Sequence, residues 1–182
     1  MAYLCRHFGL PEVAEYWENV VKLNSWQQER IARLVIHKLF GTVAGKKIAL
    51  LGFAFKANTN DTRESPAIKI AKDLIEEGAE LAIYDPKVNS EQIKISLSID
   101  EYKLDDNQAS RNESFSDIGK WYVVSNIGQS LQGADAALII TEWEEFSRLK
   151  WEDLAPLMRQ PAWVFDTRAI VDVSAIKKAG IK

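Results

Sequence analysis

Between Lys46 and Pro86 the sequence reads KKIALLGFAFKANTNDTRESPAIKIAKDLIEEGAELAIYDP, and this stretch restricts the chain to very few folds. Lys47 to Leu51 is continuously apolar after its lysines, as expected of a parallel strand covered on both faces. Ser65-Pro66 is a helix start, with serine as N-cap and proline in the first turn. Ile68, Ala71, Leu74 and Ile75 form an apolar stripe at spacings of three and four, and Gly78 ends it. Glu80 to Tyr84 is a second apolar strand, closed by Asp85-Pro86. Strand, helix and strand within about 40 residues make a βαβ unit, which crosses over right-handed.

The same rhythm returns further on. Ser130-Leu131 falls in a short helix, GADAALIIT reads as a strand, EWEEFSRLKWEDLAPLM as helical, AWVFDTR as a strand, and VSAIKKAG as a short helix ended by Gly180. The predicted fold is α/β: an open, mostly parallel sheet with helices on both faces. Lys87 to Tyr122 breaks the rhythm. It reads as an irregular surface excursion holding one short strand, anchored by Phe115, Trp121 and Tyr122.

Ahead of the sheet, Pro11 to about Phe40 carries no glycine and no further proline. Apolar residues mark two faces, one through Val13, Trp17, Val20, Ile31 and Leu34, the other through Tyr16, Leu23, Val35 and Leu39. A single helix of about 45 Å is predicted, longer than one small domain covers, so its second face needs a partner. The competing reading is two helices broken at Asn24-Ser25. Both termini read as cut: YLCRHFGL opens in mid-element with Tyr3, Leu4 and Phe8 uncovered, and AIKKAGIK halts where a strand would begin. The expectation is a stretch of a longer protein.

Composition excludes several classes of function. The net charge of −3 offers no basic footprint for nucleic acid. No run approaches the roughly 20 apolar residues of a membrane helix, and the N-terminal stretch does not read as a secretory signal. One cysteine, Cys5, fits a reducing compartment, so a cytoplasmic protein is expected. Cys5 has no glycine-rich turn around it, and His7 and His37 read as surface or interface residues. No cluster has metal-ligand spacing.

In parallel sheets ligands gather at the carboxyl ends of the strands. The loop after Gly52 lies there and leads into a helix N-terminus, which favours anions. It is not G-x-G-x-x-G, so it does not read as a standard dinucleotide cradle. It offers Lys56 and Arg63 instead, among Asn58, Thr59, Asn60, Asp61 and Thr62. The alternative is a solvated loop in which Asp61 and Glu64 pair with those cations. FDTR places Asp166 and Arg168 at the same edge, either as ligand groups or as a salt-bridged strand end. Thr141 with Glu144 reads as a capping box. Asp85 occupies the place of a ribose-binding acid, or is simply an Asp-Pro turn.

GFAFKANTNDTRESPAIKIAKDLIEEGAELAIYDPKV, followed by GADAALIITEWEEF and FDTRAIVD, resembles the UDP-glucose/GDP-mannose dehydrogenase family across nearly the whole chain. FAFK and NDTRES are closer to members acting on UDP-glucose than to those acting on GDP-mannose or N-acetylmannosamine sugars. The resemblance implies residues 1–42 as the central connecting and dimerisation helix and residues 43–182 as a C-terminal, Rossmann-like UDP-sugar-binding domain. It implies UDP-glucose as ligand, with Phe55, Lys56 and Arg168 as substrate contacts and Arg63 reaching NAD across an interdomain cleft. Thr167 stands where many relatives have Gly or Ser. The implied partners are the chain's own N-terminal NAD-binding domain and a second copy through the long helix. The family's catalytic cysteine sits in a Gly-Gly-Ser-Cys-Phe type of stretch that nothing here matches, so the chain alone is expected to be inactive. Other readings left open are a related nucleotide-sugar dehydrogenase, a non-catalytic nucleotide-sugar-binding or dimerisation module, and a flavodoxin-like regulator.

Overall fold

A computed structural model of the protein describes residues 1–103 and 119–182. Two helices come first, α1 (Ala2–His7) and α2 (Pro11–Lys38). The sheet strands are β1 (Lys47–Leu51), β2 (Glu80–Tyr84), β3 (Lys120–Val123), β4 (Ala136–Ile139) and β5 (Trp163–Asp166). Between and after them run α3 (Pro66–Glu76), α4 (Ser90–Leu97), α5 (Ile127–Leu131), α6 (Glu144–Ser147), α7 (Trp151–Leu154) and α8 (Val173–Lys178). All strand pairs are parallel, in the order β3-β2-β1-β4-β5. β1 lies at the centre, with Leu50 opposite both Ile83 and Leu138.

The strand burial explains the unbroken apolar run. Ile48, Ala49, Leu50 and Leu51 have no exposed surface, because helices cover both faces of β1. Right-handed crossovers place α3 and α4, which touch each other, on one face. The return from β3 to β4 passes beneath β2 and β1, and α5 touches both from the other side. Each fully buried Leu or Ile contributes roughly 1.5–3 kcal/mol. The expected Ser65 cap of α3 is present, the side chain accepting from the Ala67 N–H at 3.3 Å.

α2 is one unbroken helix through Asn24-Ser25. Its second half docks on the sheet domain through Ala32, Val35 and Leu39. Its first half packs against α1, aided by an Arg6–Glu18 ion pair, and leaves Tyr16, Val21, Leu23 and Trp26 exposed. The two apolar faces belong to different ends of the helix.

Three expectations are corrected. The stretch after Lys87 is not irregular throughout: α4 follows at once, capped by Asn89, whose side chain accepts from the Gln92 N–H. Its Ile93 and Leu97 are buried, a stripe too short to stand out against polar neighbours. Trp121 and Tyr122 are buried in β3, as expected of anchors, whereas Phe115 lies outside the described residues. The segment from Glu142 to Met158 is not one helix but α6, α7 and a 3₁₀ turn at Ala155–Leu157. The capping box at Thr141 is absent, since α6 starts after Trp143 and Thr141 is fully buried elsewhere.

Candidate functional site

The strand order reverses at β1 and β4. Crossovers run from β1 to β2 and on to β3, and the following one returns from β3 to β4 on the other side of β1, so the loops beyond β1 and β4 diverge and open a crevice. Three segments meet at this edge: the loop of residues 52–65, the turn of residues 140–143, and the turn of residues 166–171.

Gly52 makes the first approach possible. Its φ is +90°, and a Cβ there would stand 2.5 Å from the Thr141 Cβ and 2.8 Å from the Thr141 backbone nitrogen. The loop base and the β4 turn are therefore in backbone contact, closed by the Thr141 hydroxyl donating to the Ala54 carbonyl at 2.7 Å. Asp85 ties down the same base. Its Oδ2 accepts from the Phe53 N–H at 2.7 Å, the Ala54 N–H at 3.0 Å and the Trp143 indole N–H at 3.1 Å. Its Oδ1 accepts from the Lys87 and Val88 N–H groups at 2.9 and 3.0 Å. Asp85 is thus a structural hub with both oxygens engaged, not an acid left open for a ribose.

Beyond this base the loop swings outward. Phe53 is fully buried and Phe55 is 46% exposed, so the chain passes from core to surface within two residues. The Phe55 N–H donates to the Asp61 carbonyl at 2.8 Å, pinching off the segment that presents Lys56 and Ala57. Non-glycine residues at positive φ gather here: Asn58 (65°), Glu64 (57°) and, beside Arg168, Ala169 (55°). Phe40 and Ser98 share this geometry away from the site, so positive φ alone does not mark a ligand edge; it shows that the surrounding loops hold these three backbones in place.

The expected cations fare differently. Lys56 is exposed, with no ion-pair partner among the described residues. Arg63 is gripped by Asp61: Nε lies 2.9 Å and Nη2 2.7 Å from its carboxylate oxygens. That grip holds the Asp61 carboxyl down at about 2. The solvated-loop alternative is therefore correct for Arg63 and not for Lys56. The Arg63 side chain of the pair is 87% exposed and that of Asp61 38%. The loop flank beside it leans on α4, the Thr62 and Ser96 hydroxyls meeting at 2.9 Å.

Arg168 is pinned at one end only. Its Nε donates to the Ile140 carbonyl and lies 3.3 Å from Glu142 Oε2. Its two terminal amino groups have no hydrogen-bond partner among the described residues. Asp166 does not pair with it through charge. It shapes the turn, accepting from the Arg168, Ile170 and Val171 N–H groups at 2.8, 2.7 and 3.0 Å. Glu142 also accepts from the Ala57 N–H at 3.3 Å, which brings the Lys56 segment and Arg168 to one carboxylate.

The opposite edge of the sheet provides a contrast. There Asp135 accepts from the Lys47 N–H and pairs with Arg159, while Lys47 Nζ donates to the Gln129 and Gln132 carbonyls. Burial lowers the Lys47 pKa. These charges hold elements together, whereas the carboxyl edge keeps cationic groups facing outward. Asp85, Thr141 and Glu142 were missed or misassigned in sequence. All three follow strand ends, a signal that could have found them, but none announces its bonding partner.

Residues 49–173 match the family described as UDP-glucose/GDP-mannose dehydrogenase family, UDP binding domain. The chain is 40% identical over 180 residues to UDP-glucose 6-dehydrogenase 2 of Oryza sativa subsp. japonica, covering 99% of this chain and 37% of that protein. It is 41% identical to UDP-glucose 6-dehydrogenase 1 of Glycine max, covering 99% of this chain and 38% of that protein. It therefore spans a little over a third of the curated relatives it matches. Among solved structures, a UDP-glucose dehydrogenase from Pyrobaculum islandicum superposes with a TM-score of 0.66 at 22% identity, covering 92% of this chain and 32% of that one. A UDP-N-acetyl-mannosamine dehydrogenase from S. aureus gives 0.62 at 21% identity, covering 90% and 31%.

Proposed function

Because the chain belongs to the UDP-glucose/GDP-mannose dehydrogenase family and carries its UDP binding domain, we propose that it is the sugar-nucleotide-binding part of a UDP-glucose 6-dehydrogenase. The whole enzyme would oxidise UDP-glucose to UDP-glucuronate in two hydride transfers. Residues 43–182 supply one wall of the catalytic cleft, and residues 1–42 supply a helix that joins this wall to an N-terminal domain and to a second copy. A cytoplasmic location follows from the same reading.

The observation that carries the site assignment is Arg168, held at Nε with no hydrogen-bond partner at its terminal amino groups among the described residues, beside an exposed Lys56 that forms no ion pair among them. A planar guanidinium fixed in this way suits a pyrophosphate, which takes two parallel hydrogen bonds. Lys56 adds a mobile point charge, and half-exposed Phe55 offers an apolar surface to a sugar or base. NAD would accept the hydrides, as nicotinamide does in such reactions. Arg63 fits its pyrophosphate by residue type and exposure, provided that the anion displaces or shares Asp61. This chain's own residues bind and orient. Its one cysteine, Cys5, lies on α1 rather than at the sheet's carboxyl edge, so no nucleophilic role falls to it.

Isothermal calorimetry with UDP tests the reading. The chain is expected to bind UDP with a dissociation constant of about a millimolar or tighter. Lys56→Ala and Arg168→Ala are each expected to weaken it about tenfold, the loss of one charge-assisted contact. No measurable UDP binding, or binding indifferent to both substitutions, would defeat the assignment. The chain by itself is expected not to reduce NAD in the presence of UDP-glucose. Turnover of UDP-glucose, GDP-mannose and UDP-N-acetylmannosamine by the whole enzyme discriminates among the sugar alternatives.

A further inference from the structure

The two halves of the candidate site are joined by a side chain to which no role has been given. Glu142 lies in the turn after β4 and points one carboxylate oxygen at each neighbour. Oε1 accepts from the Ala57 N–H at 3.3 Å, next in chain to Lys56. Oε2 lies 3.3 Å from Arg168 Nε, is buried, and has no aligned hydrogen bond of its own. The Nε hydrogen is directed to the Ile140 carbonyl instead. The buried oxygen thus faces the charge of Arg168 without a hydrogen bond of its own, while the Glu142 side chain as a whole is 39% exposed. A carboxylate oxygen withdrawn from water without a hydrogen bond is costly to keep unless its counter-ion stays in place. The pair is mutually fixing.

We infer that Glu142 is the positioning residue of the UDP site: it sets the Arg168 guanidinium by its Nε side and links that setting to the loop carrying Phe55 and Lys56. This rests on the UDP-binding reading of Arg168. It also fixes a sign. A carboxylate beside a phosphate-binding arginine could instead repel the ligand, and removing its charge would then tighten binding. In this geometry the carboxylate faces the Nε side of the guanidinium, whose terminal amino groups stay available, so orientation outweighs repulsion.

The Glu142→Gln variant keeps shape and an acceptor for the Ala57 N–H, but removes the charge that holds Arg168. UDP is expected to bind Glu142→Gln about tenfold more weakly than the parent chain, as loss of one contact to a charged group implies. In an Arg168→Ala background the same change is expected to have no further effect, because Glu142 acts through Arg168. Without ligand, the Arg168 Nε–H resonance is expected to exchange with water about tenfold faster in Glu142→Gln. Equal or tighter UDP binding by Glu142→Gln, full additivity with Arg168→Ala, or unchanged Nε–H exchange would each overturn the inference while leaving UDP binding intact. A parent chain that fails to bind UDP would remove the UDP reading itself, and the Nε–H exchange would then decide whether Glu142 still fixes the arginine.

Discussion

Asp85→Asn should destabilise the whole sheet domain rather than merely alter its ligand edge. The carboxylate accepts five hydrogen bonds, three at Oδ2 and two at Oδ1, and is 9% exposed. An asparagine can keep its carbonyl oxygen on the Oδ2 side only by turning its amide toward the Lys87 and Val88 N–H groups. Three charge-assisted bonds then become neutral ones, each losing about 1 kcal/mol, and two backbone donors face a donor, at about 1 kcal/mol each or more. Relief of a buried charge's desolvation offsets part of this. The net loss is about 3 kcal/mol, a large share of the roughly 5–15 kcal/mol that holds a domain together. For a chain of this size that lowers Tm by about 6–12 °C. Urea unfolding followed by tryptophan fluorescence measures it, with the Trp143 indole N–H resonance as a local reporter. A loss below about 1 kcal/mol with an unmoved Trp143 signal would show that Asp85 is not what holds the loop base at Phe53–Ala54, Trp143 and the turn at Lys87–Val88 together.

Gly52→Ala combines a φ of +90° with a Cβ 2.8 Å from the Thr141 backbone, so shortening Thr141 cannot relieve it. A loss of about 2–4 kcal/mol in urea unfolding is expected, and a neutral result refutes the contact. Asp61 should titrate near 2 rather than at its ordinary 3.8. Its folded-state value is depressed, so the contribution of the Arg63 pair is complete above about pH 4 and disappears as pH falls through 2. A carboxyl ¹³C titration checks this, with the midpoint rising toward the ordinary 3.8 in Arg63→Ala, where the residue-63 backbone N–H still donates to the carboxylate; a parent midpoint already at 3.8 excludes the pair in solution. The exposed face of α2 should hold two copies together. Sedimentation at tens of micromolar is expected to show a dimer that Trp17→Glu with Val21→Glu separates, and a monomeric parent excludes it.

The sheet was legible because parallel strands between helices must be apolar along their whole length. Ile48–Leu51 and Ala136–Ile139 announce themselves without tertiary information. α4 was hidden because only Ile93 and Leu97 of its eight residues are buried, too few to make a periodic signal. The α6–α7 region carries enough apolar residues for one helix but breaks, since Trp143, Phe146 and Trp151 each turn toward the core from a separate short piece. At the site, residue types gave the cations but not their partners. Asp85 and Thr141 bond across 31 and 87 positions of sequence, a range over which local chemistry carries no information.

The two arginines show why pairing with a carboxylate does not by itself exclude a ligand role. Arg63 is chelated by Asp61, yet the pair lies open to water with 87% of the arginine side chain exposed. Ion pairs so exposed contribute little net stability, because water and salt compete for both partners. An incoming anion can therefore compete with Asp61 for the solvent-reachable guanidinium, and the pair acts as a resting place rather than a lock. Arg168 is the opposite case. With 31% of its side chain exposed and its Nε held by a carbonyl and a carboxylate, it cannot easily leave. Its orientation is settled before any ligand arrives, so less ordering entropy is lost on binding. On the proposed reading, the fixed Arg168 would serve the sugar nucleotide and the releasable Arg63 the cofactor, which suits a cleft that keeps one ligand in place while exchanging the other.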